Sequence, residues 1–273
     1  MATPKMARAV SRAALTAEPN AVESCKLAAF PGLVGVLGGM GPLATVDFMR
    51  KMLDATPARC DQEHVPALVC SIPQIPDRTK AFQGRGDSPL PALLACAERL
   101  KAGGASLIVM PCNTAHLWFD EIQSHSGMAM LHIVDVALDA AFEVAADTAG
   151  AAGNPRIGLL ATTATIASAL YTSRNGPPPR RQPADWVLPS EAEITQWVTP
   201  GIAAVKAGRL QEGESLLRRA AAALHARGAT SLVLGCTEIP LVLHDGNSPV
   251  ATIDATAALA RRAVQWSRQA RGA

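Results

Sequence analysis

The 273-residue sequence is 49% hydrophobic and 18% charged with a formal net charge of +2, enough apolar material for a sizeable core in two compact domains. So weak a net charge, with no long block of one sign, argues against nucleic acid or an anionic membrane as partner and leaves small molecules. No apolar run reaches bilayer-spanning length, and the 6 cysteines include no C-x-x-C pair, which points to thiols of a reducing, cytoplasmic protein rather than disulfide staples.

Residues 1–31 hold Ala, Ser, Pro and scattered Arg without a sustained period, the composition of a disordered extension. The stretch A-R-A-V-S-R-A-A-L is weakly amphipathic and basic, but nothing like a processing site follows it, so it is not read as a targeting peptide. From Leu33 onward short apolar runs alternate with Ala-rich helical stretches. Strands are expected at Leu33–Leu37, Ala67–Ser71, Leu107–Met110 and His132–Val134, with helices near 43–55, 90–102 and 114–124 between them and a long one reaching about 149. Gly150–Pro155 reads as a hinge. The pattern then starts again: strand Ile157–Leu160, helix 164–171, a Pro/Arg-rich loop, strand Trp186–Leu188, helices 191–207 and 211–227, strand Ser231–Leu234, strand Pro249–Ile253 and helix 255–270. Such alternation predicts an α/β fold of two similar three-layer domains with parallel sheets, related by pseudo-twofold symmetry, with the active site in the cleft between them. The expected boundaries are residues 32–135 plus 254–273 for the first domain and 136–253 for the second.

Chemistry concentrates where the two halves correspond. S-L-I-V-M-P-C-N-T-A-H (Ser106–His116) is an apolar run that ends in Cys112 and two polar capping residues, and S-L-V-L-G-C-T-E (Ser231–Glu238) repeats the design around Cys236. Each cysteine is preceded by a helix that ends on a cation and a glycine, and further upstream by another apolar run that ends in a loop of small residues: G-G-M-G-P in the first half, A-T-T-A-T in the second. The spacings from Gly35 to Cys112 and from Gly158 to Cys236 differ by a single residue. A thiol between a strand's end and a helix start faces unpaired N–H groups and a helix dipole, which favours thiolate. Asn113, Thr114 and Thr237 cap those helix starts and can serve an anion there. Gly39 and Gly41 suit a loop that approaches a small ligand closely. His116, four residues after Cys112, leaves two other readings open: a metal site with both cysteines, or the base of a cysteine hydrolase. Cys25, Cys60, Cys70 and Cys96 read as incidental or packing thiols.

Five blocks in order, G-G-M-G-P-L-A-T, I-P-D-R-T, M-P-C-N-T-A-H, G-L-L-A-T and L-G-C-T-E, resemble the aspartate/glutamate racemase family, with Glu238 after G-C-T similar to its aspartate racemase branch. The resemblance covers the chain from about residue 33 onward. It implies a homodimer, no cofactor, and racemisation by two opposed cysteines. Carried over by position, Cys112 and Cys236 are the catalytic bases, and Met40, Asn113, Thr114 and Thr237 contact substrate. Arg78 matches the arginine that holds the side-chain carboxylate, and Lys206 the active-site lysine. T-T-A-T departs from the pattern, which often has glycine where Ala164 stands, leaving that loop's shape open. Removing a weakly acidic Cα proton from one face and returning one to the other needs a thiolate and a thiol on opposite sides of the carbon, so the chemistry agrees with the likeness. Two alternatives stay open: a related two-cysteine isomerase or decarboxylase of a small dicarboxylate, and a non-catalytic dicarboxylate-binding protein.

Overall fold

The computed structural model describes residues 30–148, 154–174 and 183–272. Nearly all of the basic extension, most of the hinge and the middle of the Pro/Arg-rich loop lie outside the described residues. The first half runs β1 (Val34–Gly38), α1 (Pro42–Ala55), β2 (Ala67–Ser71), α2 (Arg78–Phe82), α3 (Leu90–Ala102), β3 (Leu107–Val109), α4 (Phe119–Ser126) and β4 (Ala129–Met130). The long helix α5 (Ile133–Thr148) leads to β5 (Arg156–Ala161), α6 (Thr163–Ala167), β6 (Asp185–Val187), α7 (Glu191–Glu193), α8 (Thr199–Lys206), α9 (Leu210–Ala226), β7 (Ser231–Gly235), β8 (Ala251–Asp254) and α10 (Ala255–Arg271).

Both sheets are four-stranded and parallel, in the orders β2-β1-β3-β4 and β6-β5-β7-β8, so the second half repeats the topology of the first. Strands buried on both faces must be apolar throughout, and β1, β3 and β7 are buried at every residue. Alternation along them divides the interior into three cores. Val34, Val36, Val109, Leu159 and Val233 face a shared middle core with Phe48 of α1, Ile133 of α5 and Leu259 of α10. Leu37, Ile108 and Met110 face α3 on the outer side of the first sheet, and Leu160, Leu232 and Leu234 face α8 and α9 on the outer side of the second. Helix α10, capped by Asp254 whose Oδ1 accepts from the Thr256 and Ala257 amides at 2.8 and 3.0 Å, packs on α1 and α5. In each sheet the two central strands lie where the strand order reverses, and the crevice at their C-terminal ends is where such sheets hold ligands.

Three local expectations need correction. His132–Val134 is no strand: β4 lies at Ala129–Met130, the His132 Nδ1 accepts from the Val134 amide at 3.2 Å, and the chain turns there into α5. The expected helix 164–171 stops after one turn, because Ala169 adopts φ 55, a left-handed conformation that reverses the chain and sends Tyr171 into the middle core. The expected helix 191–207 is α7, a wide π turn over Ile194–Val198, and α8. Pro200 has no N–H and its ring collides with the carbonyl four residues back, a conflict that the widened turn relieves.

Candidate active site

The loop after β1 carries Met40 to the inner cavity, and at Gly39 a close protein neighbour fixes its shape. Gly39 has φ +94, and a Cβ there would sit 2.3 Å from the Ile72 amide nitrogen. Its own amide donates to Thr45 Oγ1 at 2.8 Å, and that hydroxyl donates to the Gly41 carbonyl at 3.0 Å. The Gly41 amide donates to Glu238 Oε1 at 3.2 Å, a bond that joins the glycine loop of the first half to the cysteine loop of the second.

Cys112 and Cys236 occupy equivalent places beyond β3 and β7, and both are buried, 6% and 5% exposed. The helix dipole expected to activate them is weak. Cys112 is followed by a 3-10 turn, Thr114–Trp118, before α4 begins, and Cys236 by the three-residue 3-10 turn Ile239–Leu241. Around Cys236 the balance favours the thiol. Burial, then the Glu238 carboxylate, push its pKa well above the ordinary value against the opposing pull of Lys206, and its Sγ donates to Glu238 Oε2 at 3.1 Å.

His116 has neither of its alternative roles open. Its Nε2 accepts from the Ile133 amide at 3.1 Å, which leaves Nδ1 as the protonated nitrogen, and Nδ1 donates to the Cys112 carbonyl at 2.9 Å. With both nitrogens committed and burial pushing its pKa down to about 4, the imidazole is a neutral strut that holds the Cys112 loop against α5.

The residues after Cys112 are gripped from the second half. Thr114 Oγ1 lies 2.9 Å from Thr162 Oγ1 and 3.0 Å from Thr165 Oγ1, and Thr162 caps α6 through the Thr165 amide at 3.2 Å. Ala164 fits as a fully buried residue of α6, so the departure from glycine there is accommodated by a helical turn. The Tyr171 hydroxyl donates to Asn113 Oδ1 at 2.5 Å.

On the opposite wall, Asp77 caps α2 by accepting from the Lys80 amide at 2.8 Å. Burial opposes its charge, but that bond together with Lys206 and Arg78 holds its carboxyl below the ordinary value. Arg78 donates from Nη1 to the Ile75 and Pro76 carbonyls, 3.0 Å each, while its buried Nε has no partner among the described residues. Lys206 sits near the end of α8. Burial works against its ammonium, but Glu238 and the two cysteines raise its pKa overall, so it stays charged.

All eight residues singled out in the sequence, Met40, Arg78, Cys112, Asn113, Thr114, Lys206, Cys236 and Thr237, line one cavity, joined by Asp77, Thr79, Thr162 and Glu238. Its free volume is only about 20 Å³, room for roughly one water. A second, open cavity of about 490 Å³ adjoins it and shares Asp77, Arg78, Lys206 and Glu238. Those four charged side chains form the partition between the inner space and solvent. Thr162, Thr165 and Tyr171 were not identified from sequence, and Glu238 only as a mark of resemblance. An acidic residue two places after a buried cysteine, in an otherwise apolar run, was the available signal.

The two-domain α/β fold is shared with known proteins. The solved structure of Picrophilus torridus aspartate racemase superposes with a TM-score of 0.73 at 28% identity, covering 88% of this chain and 97% of that one. An aspartate racemase homologue from Pyrococcus horikoshii shares the fold, with a TM-score of 0.63 at 22% identity over 86% of this chain and 99% of its own. The broad specificity amino-acid racemase RacX of Bacillus subtilis is 28% identical over 245 residues, 85% of this chain and 96% of that protein. These relatives define the class, an isomerase of the racemase type. The profile described as Asp/Glu/Hydantoin racemase matches residues 37–263, and the chain belongs to that family.

Proposed function

We propose that the protein interconverts L- and D-aspartate, with glutamate as a second substrate, by cofactor-independent proton transfer between Cys112 and Cys236. The observation that carries this reading is the placement of two thiols, from equivalent positions of the two halves, on one small cavity that also holds two cations. Cys236, held as a thiol by burial and Glu238, is the acid that delivers a proton to Cα, and Cys112 is then the thiolate that removes one from the opposite face. In the reverse direction the roles exchange. As the Cα proton leaves, charge builds on the α-carboxylate, and the donors available for it are Asn113, Thr114, Thr237 and the Lys206 ammonium. The free guanidinium donors of Arg78 suit the side-chain carboxylate, and Met40 supplies an apolar wall. In this reading the protein is a cytoplasmic homodimer, with domains bounded as the sequence suggested.

Incubation with L-aspartate in D₂O, followed by chirality and mass, is the test. Growth of D-aspartate carrying deuterium at Cα is expected, whereas loss of CO₂ from another dicarboxylate, or tight binding without turnover, would replace the reading. The same assay on Arg78→Gln should lower kcat/KM for aspartate by more than for glutamate, roughly tenfold or more, because a charge-assisted pair is lost. An unchanged aspartate-to-glutamate ratio would remove Arg78 from the site.

A further inference from the structure

Asn113 lines the cavity, and what it offers there depends on which way its amide points. Amide oxygen and nitrogen occupy nearly the same space and have opposite chemistry: one accepts, the other donates. Here the choice is made from the other half of the molecule. Tyr171, fully buried and the single tyrosine of the chain, gives its hydroxyl proton to Asn113 Oδ1 at 2.5 Å. Asn113 is 2% exposed, and its Nδ2 is buried with no protein partner among the described residues while the side chain lines the cavity. Turning the amide over would strand the Tyr171 proton without an acceptor and point an oxygen at an incoming carboxylate; both changes are unfavourable in a buried site.

A second feature points the same way. Ala169, at φ 55, occupies a backbone region that favours glycine, and this reversal is what drops Tyr171 inward from the end of α6.

We propose that Tyr171 is a positioning residue for the reaction: by occupying Asn113 Oδ1 it commits Nδ2 as a donor to the carboxylate of an acidic amino-acid substrate. The proposal rests on the functional reading above, in which Asn113 touches substrate.

Its test is a double-mutant cycle of Tyr171→Phe, Asn113→Ala and the double variant, with KM and kcat measured for L-aspartate. Tyr171→Phe keeps the ring and its packing, so KM should rise and kcat/KM fall about tenfold, the scale of one buried hydrogen bond. In the Asn113→Ala background the same change should alter kcat/KM by less than about twofold, because the group through which it acts is gone. Equal losses in both backgrounds would make Tyr171 a packing residue and overturn the proposal, as would an active Tyr171→Phe with parent KM. A parent inactive on aspartate would instead sink the functional reading itself. Because the chain has one tyrosine, growth on 3-fluorotyrosine gives a protein with a single ¹⁹F resonance at this position. In the unmutated sequence that resonance should shift as DL-aspartate saturates the site, and a resonance that stays put at saturation counts against the proposal even if the variants fail to fold.

Discussion

The two cysteine loops share a topology and differ in what surrounds the sulfur. After Cys112 come neutral groups, Asn113 and Thr114, each held by a hydroxyl from the second half. After Cys236 comes a carboxylate, Glu238, which accepts from the thiol and reaches across to the Gly41 amide of the first half. Each loop is therefore fastened by the opposite half, one through neutral hydroxyls and the other through a charge. The repeated fold provides two equivalent positions for a thiol, and the unequal neighbours make them chemically distinct. A two-base reaction needs one sulfur protonated and the other not, in either order, and the unequal neighbours bias the resting proton toward Cys236.

The strongest way to break the comparison is to remove one sulfur at a time. Cys112→Ser and Cys236→Ser should each reduce racemisation by roughly a thousandfold or more while leaving the fold intact, because serine fills the space but does not ionise usefully at neutral pH. Each variant should still exchange the α-proton of one enantiomer with solvent, with opposite preferences, as followed by ¹H NMR in D₂O. Exchange of both enantiomers by one variant would mean that the sulfurs do not work from opposite faces.

A milder change equalises the surroundings. Glu238→Gln keeps an oxygen for the Gly41 amide but removes the charge that, after burial, is the main cause raising the Cys236 pKa. The Cys236 pKa should fall toward its ordinary value, so the alkaline limb of the kcat/KM profile, where this thiol loses its proton, should move to lower pH, while activity at neutral pH changes little. An unmoved alkaline limb would assign it to another group.

The last effect is on stability rather than activity and concerns the strut under Cys112. His116 is neutral in the fold, with a pKa of about 4 against an ordinary 6.5. Above pH 6.5 neither folded nor unfolded protein protonates it, and its full contribution is present. As pH falls toward 4 the unfolded chain takes up a proton that the folded one refuses, and about 3 kcal/mol of stability should be lost across that window. Urea midpoints measured across it should slope less steeply for His116→Gln than for the parent.

Why some of this was legible in sequence and some was not follows from distance along the chain. The strand, cysteine, polar-cap pattern is local, written within about ten residues, and its repetition identified both halves together with Cys112, Asn113, Thr114, Cys236 and Thr237, whereas Met40, Arg78 and Lys206 came only from the family resemblance. The fastenings are not local. Thr114 meets Thr162 and Thr165 across 48 and 51 positions, Tyr171 meets Asn113 across 58, and Glu238 meets Gly41 across 197. Nothing in the composition around Tyr171 marks it, because a tyrosine after an Ala-rich stretch reads as the end of a helix. His132–Val134 misled for a related reason: two β-branched residues after a histidine fit a strand locally, and only the His132 side chain, taking up the Val134 amide, turns them into a helix start.

The smallness of the inner cavity has a consequence for the enzyme between turnovers. If a proton travels from substrate to one sulfur and from the other sulfur to substrate, the protein that releases D-aspartate differs from the one that took up L-aspartate by the address of a single proton. The inner space holds about one water and adjoins the open cavity, so any return of that proton to solvent passes the charged side chains between the two. Glu238, which touches the Cys236 sulfur on one side and borders the open cavity on the other, is the described group that spans that passage.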